Sequence, residues 1–165
     1  IETIDKQKWL SGLKRRVQHY GYKYNYRKKN IDHSSYIGPI PEWLILLCTK
    51  LYQENIFTDI PDQVIINEYM PGQGISPHID CIPCFGEVIC SLSLGSSCIM
   101  EFKNKIKVSL LLEPRSLLVL SKDARFIWTH SIPARKQDIY LGTKILRARR
   151  ISLTFRCISI NKISG

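Results

Sequence analysis

The order of apolar and polar residues predicts two helices near the N-terminus. In the first pattern, Asp5 precedes apolar residues that share one helical face: Trp9, Leu10, Leu13 and Val17. In the second pattern, Pro41 precedes residues with the same spacing: Leu44, Leu47, Cys48 and Leu51. We therefore predict one helix that Asp5 caps and a second helix that begins at Pro41.

From residue 63 onward, short apolar or alternating runs replace the helical spacing. These runs cover residues 64–69, 88–94, 98–102, 106–112, 116–120 and 150–158. Turn-forming residues such as Pro71-Gly72-Gln73-Gly74 separate them, at a spacing typical of an antiparallel sandwich or jelly roll. We predict one domain over residues 1–165, mainly β with N-terminal helices. Residues 1–60 would precede a double-stranded β-helix (jelly-roll) core at residues 61–160.

A tyrosine-rich segment connects the two predicted helices. Tyrosine recurs at every second position, as Tyr20, Tyr22, Tyr24 and Tyr26. Alternate residues of an extended segment share one face, so these four rings would line one side. Such a face either packs against the core or stacks on nucleic-acid bases while neighbouring cations meet phosphates. Both interpretations stay open at this point.

The chain carries 24 Lys and Arg residues against 14 Asp and Glu residues, a formal net charge of +10. This excess would attract polyanions, so nucleic acid is the expected partner. The cations cluster as Lys14-Arg15-Arg16, Arg27-Lys28-Lys29 and Arg147-Ala148-Arg149-Arg150. Each cluster is equally compatible with ordinary solvated surface. No apolar run reaches the ~20 residues that cross a bilayer, so we expect no membrane contact.

The cysteines indicate the cellular compartment, and the first residue indicates whether the sequence is part of a longer chain. Six cysteines are scattered through predicted strands and helix: Cys48, Cys81, Cys84, Cys90, Cys98 and Cys157. This distribution differs from that of a small disulfide scaffold, so we expect reduced thiols and a cytoplasmic or nuclear location. Because the sequence begins with Ile1 rather than Met, we expect a longer chain with further domains.

Three residues have the chemistry and spacing of a metal site. His78 and Asp80 are two positions apart, so in an extended chain both side chains can share one ion. His130 follows a later apolar run, where a strand of a jelly roll can return to the same mouth. Two imidazoles and one carboxylate on one face of Fe(II) leave positions open for a co-substrate and O₂. The nearby Cys81 and Cys84 raise the alternative of a closed structural zinc site.

The last predicted strand carries two fixed cations on one face. Strand alternation puts Arg150, Ser152, Thr154 and Arg156 on one side, and Ile151, Leu153, Phe155 and Cys157 on the other. Guanidinium stays charged and can bind a carboxylate through two parallel hydrogen bonds, so such a pair would suit a small dicarboxylate. The alternative is an exposed amphipathic strand with solvated arginines.

In this order, His78-x-Asp80, His130 and Arg150-x5-Arg156 resemble the AlkB family of dioxygenases, and the likeness extends over nearly the whole chain. The resemblance implies that His78, Asp80 and His130 bind Fe(II). It also implies that Arg150 holds the distal carboxylate of 2-oxoglutarate and that Arg156 meets its metal-side carboxylate. The implied reaction converts 2-oxoglutarate and O₂ to succinate and CO₂ while a substrate C–H bond is hydroxylated.

The same resemblance adds three co-substrate contacts. The stretch Asn67-Glu68-Tyr69, followed by Pro-Gly, resembles the family's segment before the first iron ligand, so Asn67 and Tyr69 map to 2-oxoglutarate contacts. Ser152 stands where several members have an Asn that touches the co-substrate.

Within the family, residues 88–95, 128–132 and 135–138 look most similar to the branch that hydroxylates a modified wobble uridine in tRNA. The implied partners are tRNA and a methyltransferase, as a further domain or a separate chain, and the domain itself would be monomeric. Members that demethylate DNA bases tend to carry an acidic residue where this chain has Ile82. An oxidative demethylase of DNA or RNA bases is the alternative, followed by a non-catalytic nucleic-acid-binding module with a structural metal.

Residues 20–33 form the predicted substrate lid. Candidate substrate contacts are Tyr22, Tyr24, Tyr26, Arg27, Lys28 and, beside the metal motif, Ile82.

Overall fold

The computed structural model describes residues 1–159. Within them the helices are α1 (Glu2–Asp5), α2 (Glu42–Gln53) and α3 (Lys122–Phe126). The strands are β1 (Arg16–Tyr20), β2 (Gln63–Tyr69), β3 (Ile75–His78), β4 (Phe85–Gly95), β5 (Cys98–Lys103), β6 (Lys107–Leu112), β7 (Leu117–Leu120), β8 (Thr129–Ile132), β9 (Gln137–Tyr140), β10 (Thr143–Leu146) and β11 (Arg150–Ile158). None of these helices is long and apolar enough to span a membrane.

Two antiparallel sheets face each other across a cavity. The larger sheet has the strand order β1-β2-β11-β4-β7, the smaller one β3-β8-β5-β6, and β9 pairs with β10 as a separate hairpin. All six predicted runs are strands, and the mainly β jelly-roll prediction is confirmed. The predicted end of the core at residue 160 lies outside the described residues.

Strand alternation decides which side chains reach the cavity. On β11, Ile151, Leu153 and Phe155 pack in one core cluster with residues of α2, which covers the outer face of the larger sheet. The alternate residues of β11 line the cavity instead. The predicted helix at Pro41 is confirmed, because α2 follows this residue directly and buries Leu44 on the sheet.

The helix predicted after Asp5 is wrong. Helix α1 ends at Asp5 instead of starting there, and Leu10 and Val17 exchange backbone hydrogen bonds of 2.8 and 3.0 Å. Val17 belongs to β1, where it lies opposite Asn67 of β2. The apolar spacing fits a helix, but pairing with the edge of the larger sheet satisfies the same backbone groups and buries Val17 as well.

Gly74 allows β3 to lie close to β8. A Cβ atom added at Gly74 would stand 2.1 Å from the carbonyl oxygen of Ile132, so another residue would push the two strands apart. This approach matters because β3 and β8 each carry one histidine of the predicted metal site.

Candidate active site

Cross-strand pairing brings the two histidines together. His78 is the last residue of β3, and His130 lies directly opposite it on β8. Their ring centroids are 4.3 Å apart. The sequence placed His130 near the end of an apolar run, whereas the structure ends α3 at Phe126 and starts β8 at Thr129. The juxtaposition of the histidines therefore follows from strand register.

Asp80 completes the cluster just beyond the end of β3. Its Oδ1 atom is 3.4 Å from His78 Nε2, and one ligand atom from each of Asp80, His78 and His130 lies within 4.8 Å of the others. His78 Nδ1 is 2.8 Å from the Ser76 carbonyl oxygen, so Nδ1 donates and Nε2 keeps its lone pair. Two imidazoles and one carboxylate are the donor set that suits Fe(II) with open coordination positions.

Arg156 neutralises the Asp80 carboxylate, and its predicted contact with the metal-side carboxylate of 2-oxoglutarate stays a prediction. Its Nε and Nη2 atoms donate to Asp80 Oδ2 at 3.2 and 3.0 Å, and its Nη1 donates to Gln63 at 3.2 Å. Burial by itself would raise the pKa of Asp80, but the charge of Arg156 holds that pKa well below its usual range. Burial lowers the pKa of His130 to about 4, so its ring is neutral and available as a ligand at neutral pH.

Arg125 holds the backbone around Asp80 and was missed by the sequence analysis. Its side chain is 2% exposed. The guanidinium donates to carbonyl oxygens at 2.9 to 3.3 Å, those of Asp80, Cys81, Phe85 and Gly86. Because α3 leads into β8, Arg125 ties the Asp80 loop to the strand that carries His130. The signal was present as a single cation within the apolar run Ala124-Arg125-Phe126-Ile127-Trp128.

The side chains of His78, Asp80 and His130 face a cavity of about 680 Å³ between the sheets. Arg150 faces this cavity from β11 and is only 2% exposed. Its Nη2 atom donates to Ser93 at 2.8 Å, but Nε and Nη1 have no hydrogen-bond partner within residues 1–159. A buried guanidinium in this state is suited to bind an oxyanion. The residues present therefore fit a carboxylate co-substrate such as 2-oxoglutarate beside the metal cluster.

The other predicted co-substrate residues line the same cavity. The Tyr69 ring lies 5.5 Å from the Arg150 guanidinium carbon. Asn67 accepts a hydrogen bond of 2.8 Å from Arg15, a cavity residue that was not predicted as part of the site. Ser152 shares a hydrogen bond of 2.8 Å with Ser91. The structure thus brings these side chains together, and their contacts with 2-oxoglutarate stay predictions.

The lid residues divide between the cavity and other surfaces. Tyr24 and Tyr26 line the cavity, with their rings 5.1 Å apart, whereas Tyr22 packs on Tyr36 at 5.3 Å. Tyr20 packs edge-on against Trp43 beside α2, so the prediction of four tyrosines on one face is wrong. Gly21, with a positive φ of 75°, changes the chain direction between Tyr20 and Tyr22. Among the described cavity-lining residues, the candidates Tyr22, Arg27, Lys28 and Ile82 are absent.

Cys81 and Cys84 form a disulfide, which corrects the prediction that all thiols are reduced. A turn after Asp80 brings their Cα atoms to 5.3 Å, within the range that a disulfide spans. Both sulfurs are committed to this bond and so do not serve as thiolate ligands of zinc. Within residues 1–159, the one group of side chains that could hold a metal is His78, Asp80 and His130.

Two arginines of the third basic cluster form ion pairs within the fold. Arg147 pairs with Asp138 at 2.7 Å, and Arg149 pairs with Glu68 at 2.6 Å and also with Asp5. By contrast, Arg27 and Lys28 are exposed on the lid. Of the three clusters, the second therefore remains a candidate nucleic-acid surface, together with Lys14 and Lys29 at the cavity.

A jelly roll that joins this donor set to a buried, unsatisfied arginine has the architecture of an Fe(II)- and 2-oxoglutarate-dependent dioxygenase. The model of the 2OG-Fe(II) oxygenase superfamily matches residues 3–156. The chain belongs to this superfamily, so Fe(II), 2-oxoglutarate and O₂ are its cofactor and co-substrates.

Similar proteins narrow the family to AlkB relatives. A protein of Acanthamoeba polyphaga mimivirus is 41% identical over 99% of this chain and 79% of its own length. The alkylated DNA repair protein ALKBH8 homolog of Arabidopsis thaliana is 36% identical over 94% of this chain. The tRNA (carboxymethyluridine(34)-5-O)-methyltransferase ALKBH8 of Mus musculus is 40% identical over 98% of this chain. The chain spans 53% and 25% of the lengths of these last two relatives.

The solved structure of OsALKBH1 has the same fold. It matches with a TM-score of 0.66 over 90% of this chain and 83% of that chain, at 17% identity. The fold and the sequence relatives together confirm an AlkB-like oxygenase that is similar to the ALKBH8 branch.

Proposed function

We propose that this domain oxidises a modified nucleoside of RNA, namely by hydroxylating a modified wobble uridine in tRNA. The observation that carries the proposal is a nucleoside-sized cavity joining the His78, Asp80 and His130 cluster to two lid tyrosines. The similarity to ALKBH8 proteins supports tRNA as the substrate. As part of the same proposal, the domain is monomeric and works with a methyltransferase.

Each end of the cavity has its own task. His78, Asp80 and His130 hold Fe(II), while Arg150 binds the distal carboxylate of 2-oxoglutarate and the neighbouring Asn67 and Tyr69 orient it. When bound, Fe(II) and 2-oxoglutarate supply the oxidation of a C–H bond by O₂, with succinate and CO₂ as co-products. Arg156 keeps Asp80 ionised and correctly oriented through its two hydrogen bonds.

Tyr24 and Tyr26 bind the nucleoside in this proposal. Both rings are half-buried at the cavity, and the alternating residues Lys23, Asn25 and Arg27 are exposed. Aromatic faces stack on any base, so the tyrosines supply affinity while the cavity selects the modified group.

Removal of a methyl group from an alkylated base is the alternative, because the chain is also 26% identical to a probable RNA/DNA demethylase, ALKBH6 of Danio rerio. The two reactions differ in product. Hydroxylation of a carbon attached to nitrogen releases formaldehyde, whereas hydroxylation of an ordinary side-chain carbon leaves a stable alcohol. Ile82 is 49% exposed and apolar, so it offers no acceptor to a damaged base.

The test is turnover of total tRNA by the chain loaded anaerobically with Fe(II) and 2-oxoglutarate. We expect a visible metal-to-ligand absorption band before O₂ is admitted, and succinate afterwards. Mass spectrometry of the digested tRNA should then show a wobble nucleoside that has gained one oxygen atom. The Asp80→Ala variant should lose the band and the product, since two imidazoles alone bind Fe(II) poorly.

The matched control is Glu87→Ala, which removes an exposed carboxylate from β4 and should leave the band and the product intact. If the tRNA gained no oxygen and methylated oligonucleotides released formaldehyde, the demethylase reaction would replace the proposal. Absence of both the band and succinate would contradict an active iron site.

A further inference from the structure

Arg15 places a cation inside the cavity that neither Fe(II) nor 2-oxoglutarate requires. It belongs to the segment before β1 and lines the cavity together with Leu13 and Lys14. Its guanidinium carbon is 5.8 Å from the ring centroid of Tyr69 and 6.0 Å from that of Tyr26. Arg15 therefore lies between the sheet and the lid.

The charge of Arg15 has no acidic counterpart. Within residues 1–159, no carboxylate lies within ion-pair distance of its guanidinium, whereas the next residue, Arg16, pairs with Glu68 at 2.6 Å. The Nε atom of Arg15 donates to the neutral amide oxygen of Asn67 at 2.8 Å. A partly desolvated cation without a counter-charge attracts an anion more strongly than the same group in water.

The backbone fixes Arg15 at this position. The carbonyl oxygen of Lys14 accepts a hydrogen bond of 2.7 Å from the Gln73 side chain, whose own carbonyl oxygen accepts one of 2.8 Å from Met70. On the other side, Arg16 starts β1 opposite Glu68. Arg15 is thus anchored from both sides, unlike the exposed Arg27 and Lys28 on the lid.

The neighbouring arginines have separate tasks. Arg156 is bound to Asp80, and Arg150 lies on β11 with Tyr69 beside it. Arg15 is on the lid side of the cavity, where Tyr26 is its other aromatic neighbour.

We infer that Arg15 binds the substrate by contacting an oxyanion of the nucleotide. This inference rests on the proposed function and names a feature of its substrate: a carboxylate on the uridine substituent or a phosphate of the chain next to it. A guanidinium binds either group through paired hydrogen bonds, and the hydrogen bond to Asn67 keeps the Arg15 guanidinium oriented.

The test compares Arg15→Gln with the wild-type chain, both loaded with Fe(II) and 2-oxoglutarate. Gln can still donate to Asn67 but carries no charge. The substrates are two tRNA anticodon stem-loops, one with a carboxymethyl group on the wobble uridine and one with its neutral methyl ester. Binding of each RNA is also measured by fluorescence anisotropy, so the result does not depend on turnover.

If the carboxylate is the partner, Arg15→Gln should weaken binding of the acid roughly 10- to 100-fold and leave the ester unchanged. If a phosphate is the partner, both RNAs should weaken equally and the salt dependence of log K should fall by about one unit. Arg15→Lys should retain part of the affinity in either case, because Lys keeps the positive charge but lacks the paired N–H donors of the guanidinium.

The matched control is Lys50→Gln, which removes an exposed positive charge from α2, on the opposite face of the larger sheet. Equal RNA affinity of Arg15→Gln and wild type would overturn the inference, as would a variant whose sole defect is a raised Michaelis constant for the co-substrate. Failure of the proposed function looks different: the RNAs bind with the expected dependence on Arg15, but neither gains oxygen.

Discussion

The two ends of β11 carry the same side chain in opposite states. Arg150 and Arg156 lie on one face of the strand, are 2% and 8% exposed, and line the same cavity. Each side-chain nitrogen of Arg156 has a partner in Asp80 or Gln63, whereas Arg150 has one side-chain partner and two unsatisfied nitrogens. The protein therefore completes the metal end of the cavity by itself and leaves the other end for a ligand.

This difference separates an internal ion pair from a binding site. A buried charge costs several kcal/mol unless it is paired and hydrogen-bonded. At the Arg156 end, that cost is offset within the folded chain, so the carboxylate of Asp80 is oriented before any metal arrives. At the Arg150 end, the cost is relieved when an oxyanion binds, so it adds to the affinity for the co-substrate.

The largest expected effect comes from Arg156→Met, which breaks the internal pair. Asp80 would keep a buried carboxylate without its cation, so the free energy of unfolding should fall by about 3 kcal/mol. Chemical denaturation of the metal-free chain measures this loss, and titration with Fe(II) should show weaker binding. Arg156→Lys, which keeps the charge, should recover part of the stability. An unchanged free energy of unfolding in Arg156→Met would show that the ion pair of Arg156 with Asp80 does not stabilise this part of the fold.

Arg150→Met should separate ligand binding from stability. The Michaelis constant for the co-substrate should rise roughly 10- to 100-fold, because a charged hydrogen-bonded partner is lost. The free energy of unfolding without ligand should stay equal or increase, because the variant removes a buried, unsatisfied cation.

The readout is thermal unfolding with and without 2-oxoglutarate. Wild type should gain about 2.7 kcal/mol at a hundredfold excess over Kd, and the variant should gain much less at that concentration. A ligand-free stability loss as large as that of Arg156→Met would mean that Arg150 is part of the folded core instead.

Strand alternation made the chemistry of β11 predictable from sequence. A period of two assigns every residue from Arg150 to Phe155 to a face, and the apolar residues Ile151 and Leu153 require the face that packs under α2. Asn67 and Tyr69, which the family resemblance assigned to the co-substrate, also lie on the cavity side of β2. The jelly-roll pattern and the family resemblance indicated that His78 and His130 bind one metal. Their direct pairing was not predicted, because the sequence of one strand does not specify its register with a distant strand.

The remaining features depend on long-range contacts. Val17 fits a helix by spacing but pairs with β2, and Arg125 resembles a surface residue until the carbonyl oxygens around it are known. Arg15 was one member of a charged run in which neighbouring residues point to different partners. The disulfide of Cys81 needs a turn whose geometry two cysteines alone do not specify.

The smallest effect is expected at Ser152, which lies between the two arginines on the same face of β11. Its hydroxyl is 2.8 Å from that of Ser91 on β4, and the residue is 5% exposed. Ser152→Ala should cost about 1 kcal/mol of the free energy of unfolding, because it leaves the half-buried Ser91 hydroxyl without this partner. Chemical denaturation measures the loss.

The double variant Ser91→Ala with Ser152→Ala should cost less than the sum of the two single variants, since both partners are then removed together. The Michaelis constant for the co-substrate distinguishes this internal role from a ligand contact. If Ser152→Ala raised that constant as much as Arg150→Met does, Ser152 would contact the co-substrate directly. The co-substrate site would then extend along β11 from Arg150 to Ser152.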